Sequence, residues 1–190
     1  MQKSYAQPYR LGGETRLLIH YEDDFDGTVL DEDGRLPTFD SFESLQSFAQ
    51  KRKVKIRGQQ PLLDLDAVLS WLDAPDDAPD CRTMYACWNL LGDVARSLGV
   101  AESYRGYDRR LEYLHEELLW GCNLETAWRG EPFTPEFGTL EVERLREVIG
   151  GGLGILNGSH KRIDARTNVA SSPGNRRKVR GKPEGHQGAG

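Results

Sequence analysis

The chain has 190 residues, with 25 Lys and Arg against 30 Asp and Glu, so its formal net charge is -5, and 37% of it is hydrophobic. This composition fits one ordinary globular domain and excludes the collagen, coiled-coil and disulfide-scaffold classes. No stretch has the roughly 20 consecutive apolar residues of a membrane helix, and MQKSYAQPYR lacks the apolar block of a secretory signal, so we expect a cytoplasmic protein without membrane contact.

The domain organisation follows from apolar content and charge along the chain. Residues 1–14 include a pair of glycines at 12–13 and are expected to be a flexible N-terminus. Residues 15–157 contain the apolar periodicity and are predicted to form a single domain, and residues 1–157 together carry a net charge of -11. Residues 158–190 carry a net charge of +6 and few large apolar side chains, which predicts a disordered basic tail.

The first half of the domain predicts a small antiparallel β-meander. Residues 15–21 (TRLLIHY) are a short apolar run bounded by Gly and acidic residues, which favours a strand. Residues 28–30 and 36–39 are the expected partner strands, because Asp-Gly pairs such as 26–27 and 33–34 are typical of tight turns.

A helix packed on this meander is predicted after residue 41. Asp40 and Glu43 match a capping arrangement, and apolar residues recur on one face between residues 42 and 49. The sequence KVKIR at 53–57 then alternates apolar and charged residues, which predicts one more strand.

Beyond residue 60 the apolar period becomes that of helices. Four helices are predicted, over about residues 65–72, 81–98, 107–120 and 139–153, and three glycines at 150–152 should fray or end the last one. Strands first and helices afterwards indicate an α+β fold, with a mostly helical C-terminal half.

One acidic segment suggests a metal-dependent enzyme. The residues DFDGTVL at 24–30 resemble the first motif of the haloacid dehalogenase superfamily of phosphatases. The resemblance implies Asp24 as nucleophile, Asp26 as general acid/base and a shared Mg2+. In that superfamily the nucleophile directly follows an apolar central strand, whereas four residues, His20 to Asp23, intervene here. A phosphatase therefore stays an alternative, and we expect no cofactor, no metal ligand and no catalytic residue.

Several longer segments resemble another group of proteins. The segments are TVLDEDGRLPTFDSFESLQSFA, WNLLGDVARSL, LLWGCNLETAW and TLEVERL, within residues 15–157. They resemble small uncharacterised bacterial cytosolic proteins whose relatives include immunity partners of secreted toxins. The resemblance implies an immunity-type function and assigns no functional residue.

The acidic domain favours binding of a basic protein. Toxin nucleases are basic because they hold phosphate backbones, so an acidic inhibitor gains steered association and charge complementarity. We predict a non-enzymatic immunity or inhibitor protein, with Tyr104, Tyr107 or Phe133 as aromatic anchors. The expected binding residues form two acidic clusters: Glu22, Asp23, Asp24, Asp26, Asp31, Glu32 and Asp33, and Asp73, Asp76, Asp77 and Asp80. A third possibility is a structural adaptor that binds nucleic acid through tail residues 161–182.

Overall fold

A computed structural model describes residues 2–75, 77–124 and 131–163. The strands are β1 Lys3–Leu11, β2 Glu14–Glu22, β3 Gly27–Thr28, β4 Leu36–Phe39, β5 Ile56–Gln59, β6 Leu63–Asp64 and β7 His160–Ile163. The helices are α1 Phe42–Lys51, α2 Leu65–Asp73, α3 Cys81–Ser97, α4 Glu112–Gly121 and α5 Thr139–Gly158. Three single turns of 3-10 helix, Ala101–Ser103, Arg105–Tyr107 and Arg109–Leu111, connect α3 to α4.

The predicted α+β class and the order of strands before helices are confirmed. In the described residues one sheet has the order β5-β1-β2-β4-β7, with β3 paired to β2 and β6 to β1. The pairs that β2 makes with β1, β3 and β4 are antiparallel, whereas β5 and β6 join β1, and β7 joins β4, in parallel. No described helix is long and apolar enough to cross a membrane.

The N-terminus differs from the expected flexible segment 1–14. Residues 3–11 form β1, which lies between β2 and β5 and pairs with β2 over its whole length. Gly12 and Gly13 have φ of 62° and 75°, so the two glycines form the turn of a β-hairpin instead of ending a linker.

The tail also begins differently from the prediction for residues 158–190. Gly158 is the last residue of α5, and 160–163 form β7 along β4. Residues 164–190 lie outside the described residues. Helix α5 runs unbroken through the three glycines at 150–152, which were expected to fray or end it.

Both faces of the sheet are buried, which explains the apolar run in β2. Leu17 and Ile19 pack with Leu45 and Ala49 of α1 on one face. Leu18 points the other way and belongs to the larger core formed with α2, α3, α4 and α5. Because side chains alternate along a strand, His20 shares the face of Leu18 and lies toward α3.

Candidate functional site

Three cavities meet along one face of α3. Their volumes are about 540, 370 and 310 Å³, and Asn89 and Asp93 line all three. One wall is formed by residues 22–26, the last residue of β2 and the turn after it, which we call the acidic loop, and residues 106–115 form the other wall. We call this combined depression the α3 groove.

The groove follows a polar stripe on an otherwise buried helix. Asn89, Asp93 and Arg96 are spaced by four and three residues, so they lie on the same side of α3. The opposite side of α3, including Leu91 and Val94, is fully buried in the core. The helix therefore anchors the domain and presents polar groups to the groove.

Asp93 is the centre of a hydrogen-bonded cluster on the floor of the groove. It is 8% exposed, and its two carboxylate oxygens contact different partners. Its Oδ2 lies 3.0 Å from Nε2 of His20, and its Oδ1 accepts a hydrogen bond of 2.9 Å from Nη1 of Arg96. The same Nη1 donates to the carbonyl oxygen of Asp26 at 2.8 Å. Arg96 thus joins the helix to the acidic loop.

The acidic loop is held against α3 by a second contact and by its own turn. The backbone N–H of Thr28 donates to Oγ of Ser97 at 2.8 Å, and the N–H of Asp23 donates to Oδ1 of Asp26 at 3.2 Å. Between these two aspartates the side chain of Phe25 is 75% exposed. The fold therefore presents an aromatic ring, flanked by carboxylates, at the edge of the groove.

The opposite wall carries an aromatic ring and a histidine. Tyr107 is 42% exposed, and its ring centroid lies 5.4 Å from the guanidinium carbon of Arg96.

Nε2 of His115 lies 2.8 Å from Oδ1 of Asn89, and the histidine ring packs between Tyr85 and Trp88. Burial lowers the pKa of His115 below its ordinary value, although Glu112 and Glu116 act in the opposite direction. The environment of His115 therefore favours the neutral form of its ring.

Negative charge dominates the lining of the groove. Seven carboxylates line it against the three guanidinium groups of Arg82, Arg96 and Arg109. Two of these guanidiniums also bond within the fold, Arg82 to the carbonyl of Cys122 and Arg96 as described above. The seven are Glu22, Asp23, Asp24, Asp26, Asp93, Asp108 and Glu112.

One group of side chains has donor atoms spaced for a metal ion. Among the described residues, ligand atoms of His20, Asp26 and Asp93 lie within 4.8 Å of one another. His20 and Arg96 already contact both oxygens of Asp93, so protein hydrogen bonds account for the arrangement. Asp24 does not belong to this group, although the phosphatase resemblance paired it with Asp26.

The first predicted acidic cluster is divided by the fold. Glu22, Asp23, Asp24 and Asp26 line the α3 groove, whereas 31–33 form a separate turn. Oδ1 of Asp31 accepts backbone hydrogen bonds of 2.9 Å from Asp33 and Arg35, which shapes this turn. Glu32 faces Arg52 at 3.4 Å.

The described residues of the second predicted cluster lie from the last residue of α2 to the N-cap of α3, and they do not line the groove. Asp73 and Asp77 are exposed, and Asp76 lies outside the described residues. Asp80 caps the N-terminus of α3, because its Oδ1 accepts from the backbone N–H of Thr83 at 3.1 Å. At least one member of this cluster therefore stabilises a helix.

The predicted aromatic anchors also have different environments. Tyr104 was expected to be exposed but is 2% exposed, and its hydroxyl donates to the carbonyl of Trp88 at 2.9 Å. Tyr107 lines the groove, and Phe133 is half-buried. Sequence reasoning missed Phe25 as an anchor, although an aromatic residue between acids in a turn ending in glycine was the available signal.

In comparisons with known proteins, no family model, no curated protein and no solved structure matches this chain. The site is therefore interpreted from its own geometry and charge.

Proposed function

We propose that the chain is a non-enzymatic acidic binding protein of the immunity or inhibitor type. It would neutralise a basic protein partner, such as a toxin nuclease, by covering the partner's active site with the α3 groove and its acidic loop. The observation that carries this proposal is the exposed ring of Phe25 beside a groove lined by seven carboxylates and three guanidiniums.

Charge complementarity supports a basic partner. A nuclease active site must attract phosphate, so it carries Lys and Arg side chains that fit carboxylates. Acidic side chains around a concave surface focus the electrostatic potential, which raises the association rate with a basic protein. Salt weakens this attraction, because the Debye length falls from about 10 Å to about 3 Å between 0.1 and 1 M ionic strength.

Phe25 supports an interface rather than a purely electrostatic contact. Its ring is 75% exposed, so most of its apolar surface remains available for burial by a partner. Burying it would contribute about 1–2 kcal/mol, or about five- to thirtyfold in Kd. Aromatic side chains surrounded by polar residues are typical of energetic hot spots in interfaces.

Coexpression with the product of the adjacent gene tests the proposal. We expect a basic protein to copurify with this chain in a complex that weakens between about 0.05 and 0.5 M salt. Recovery of free protein over the whole salt series would contradict the proposal. Turnover of a generic phosphate ester that needs Mg2+ and is abolished by Asp24→Asn would instead establish the phosphatase alternative.

Two matched double variants test which of the two acidic clusters contributes to partner binding. Glu22→Gln/Asp24→Asn removes two charges from the groove, and Asp73→Asn/Asp77→Asn removes two exposed charges outside it. The groove variant should weaken partner binding about tenfold, since each screened charge pair contributes up to about 1 kcal/mol, and the control should bind normally. The reverse ranking would place the interface on the second cluster.

A further inference from the structure

We propose that the α3 groove is also the docking site of the chain's own basic segment 174–182 (GNRRKVRGK). Docked there, the segment would compete with any basic partner and would require that partner to displace it. This inference uses the surface assigned in the proposed function, but segment docking itself needs no partner. The two proposals can therefore fail separately.

The charges of the segment and of the groove are complementary. The segment has five cationic and no acidic residues among its nine. On the groove side, four carboxylates lie in the single loop 22–26, next to the open cavities of about 540 and 370 Å³. A short cationic stretch therefore meets a concentrated anionic surface on the same molecule.

The C-terminal end of the described chain places the segment within reach of this surface. In the sheet, Ile163 of β7 is in register with Phe39 of β4, which pairs with Leu17 of β2. Glu22 lies five residues beyond Leu17, or about 17 Å along the strand, and two strand spacings add about 10 Å sideways. The direct distance from the end of β7 to the mouth of the groove is thus about 20 Å.

The length of intervening chain matches that distance. Twelve residues, and therefore thirteen Cα–Cα steps, lie between Ile163 and Arg176. A chain of this length spans at most about 43 Å when extended, and a flexible one has a root-mean-square span of about 20 Å. A tether that matches the span gives an effective concentration on the order of 1 mM. An intrinsic Kd of about 0.1 mM would therefore keep the groove about 90% occupied.

Binding of the free peptide GNRRKVRGK to full-length, nuclease-treated chains tests this inference. We expect the peptide to bind the tail variant Arg176→Gln/Arg177→Gln/Lys178→Gln about tenfold more tightly than it binds wild type, because the neutralised tail no longer competes with the peptide for the groove. A matched control, Lys53→Gln/Lys55→Gln/Arg57→Gln, removes three exposed cations from the body and should bind like wild type. Adding Glu22→Gln/Asp24→Asn to the tail variant should abolish its tenfold gain in peptide affinity.

Each other outcome contradicts the inference. Equal peptide affinity for wild type and the tail variant would mean that the tail does not occupy the groove. Peptide binding that survives Glu22→Gln/Asp24→Asn but is lost in Asp73→Asn/Asp77→Asn would assign the second acidic cluster. A difference that disappears on dilution, together with dimers in sedimentation, would mean exchange of tails between copies. A difference that is seen only with untreated chains, and not after nuclease treatment, would mean that nucleic acid held by the tail blocks the groove. None of these results depends on whether a basic partner exists.

Discussion

Substitution of Gly152 by alanine probes how closely α5 approaches α3 beneath the groove. Gly152 is a buried residue of α5, and a Cβ atom there would lie 2.7 Å from Cβ of Leu91 and 3.0 Å from a ring carbon of Tyr104. The Cβ of Leu91 is attached directly to the α3 backbone, so rotation of the side chain cannot remove the clash. The two helices would have to move apart.

The expected free-energy change is a difference between two effects. Alanine gains up to about 1 kcal/mol over glycine in a helix interior, whereas overpacking a closely packed contact costs about 1–3 kcal/mol. Gly152→Ala should therefore destabilise the protein by about 1 kcal/mol. Gly151→Ala is the matched control: it adds the same methyl group one residue away, where nothing lies within 4 Å. It should stabilise the protein by about 0.5–1 kcal/mol.

Urea unfolding followed by tryptophan fluorescence, with thermal melts, measures both variants. A difference of about 2 kcal/mol between them corresponds to about 4–8 °C in Tm for a domain of this size. Equal stability of the two variants would refute the close approach of α3 and α5. Loss of stability in Gly151→Ala would instead show that the exposed face of α5 is covered.

Four other outcomes follow from the site and the core. Asp93→Ala should lower the unfolding free energy by about 1–3 kcal/mol in urea titrations, more than Asp93→Asn, because alanine removes both partly buried hydrogen bonds that the carboxylate makes with His20 and Arg96. Burial lowers the pKa of His115, so as the pH falls the unfolded chain takes up a proton before the folded chain does. The free energy of unfolding should therefore decrease between pH 7.5 and 5.5, about one unit either side of the ordinary histidine pKa. The decrease should be smaller in His115→Gln than in wild type. Burial raises the pKa of Cys87 to about 12, and all three cysteines are buried, so a thiol reagent at about pH 8 should label the native chain far more slowly than the unfolded chain. Phe25→Ser should weaken partner binding about tenfold in calorimetry and leave Tm within about 2 °C of wild type, since the ring is exposed.

Local signals in the sequence predicted the helices well. Asp64 and Asp80 precede apolar periodicity, and both cap helices in the structure. At α1 the predicted cap was Asp40, whereas Oγ of Ser41 accepts the hydrogen bond from the N–H of Ser44 at 3.2 Å. Neighbouring polar residues offer nearly equivalent caps, so the sequence indicated the start of this helix but not the hydrogen bond.

Strand β1 could not be predicted because its burial depends on distant parts of the chain. It contains Pro8 and the polar Gln7, which read as an irregular segment. In the fold, the side-chain amide of Gln7 is buried and donates to the carbonyls of Pro8 and Pro61. The latter partner lies 54 residues away, so no local pattern announces that this amide is satisfied.

The floor of the groove was equally inaccessible to sequence reasoning. His20 and Asp93 are 73 residues apart, on a strand and a helix that only tertiary packing brings together. Asp93 was visible as a polar residue on an amphipathic helix, but such residues usually face solvent. The acidic loop itself was predicted, because it needs only consecutive carboxylates before a glycine turn.

Phe25 determines how the two proposed occupants of the groove would differ. Residues 158–190 contain no aromatic residue, so the basic segment can offer the acidic loop charge but no aromatic contact. A partner that also covers the ring gains about 1–2 kcal/mol over the segment, which offsets much of the local concentration advantage of a tethered competitor. A simple polycation gains only a cation–π contact with the ring, about 0.5–1 kcal/mol at an exposed site, and would compete less well than such a partner. Phe25→Ser should therefore reduce discrimination between the partner and polylysine, which competition binding at one ionic strength measures. Unchanged discrimination would mean that charge alone selects the partner.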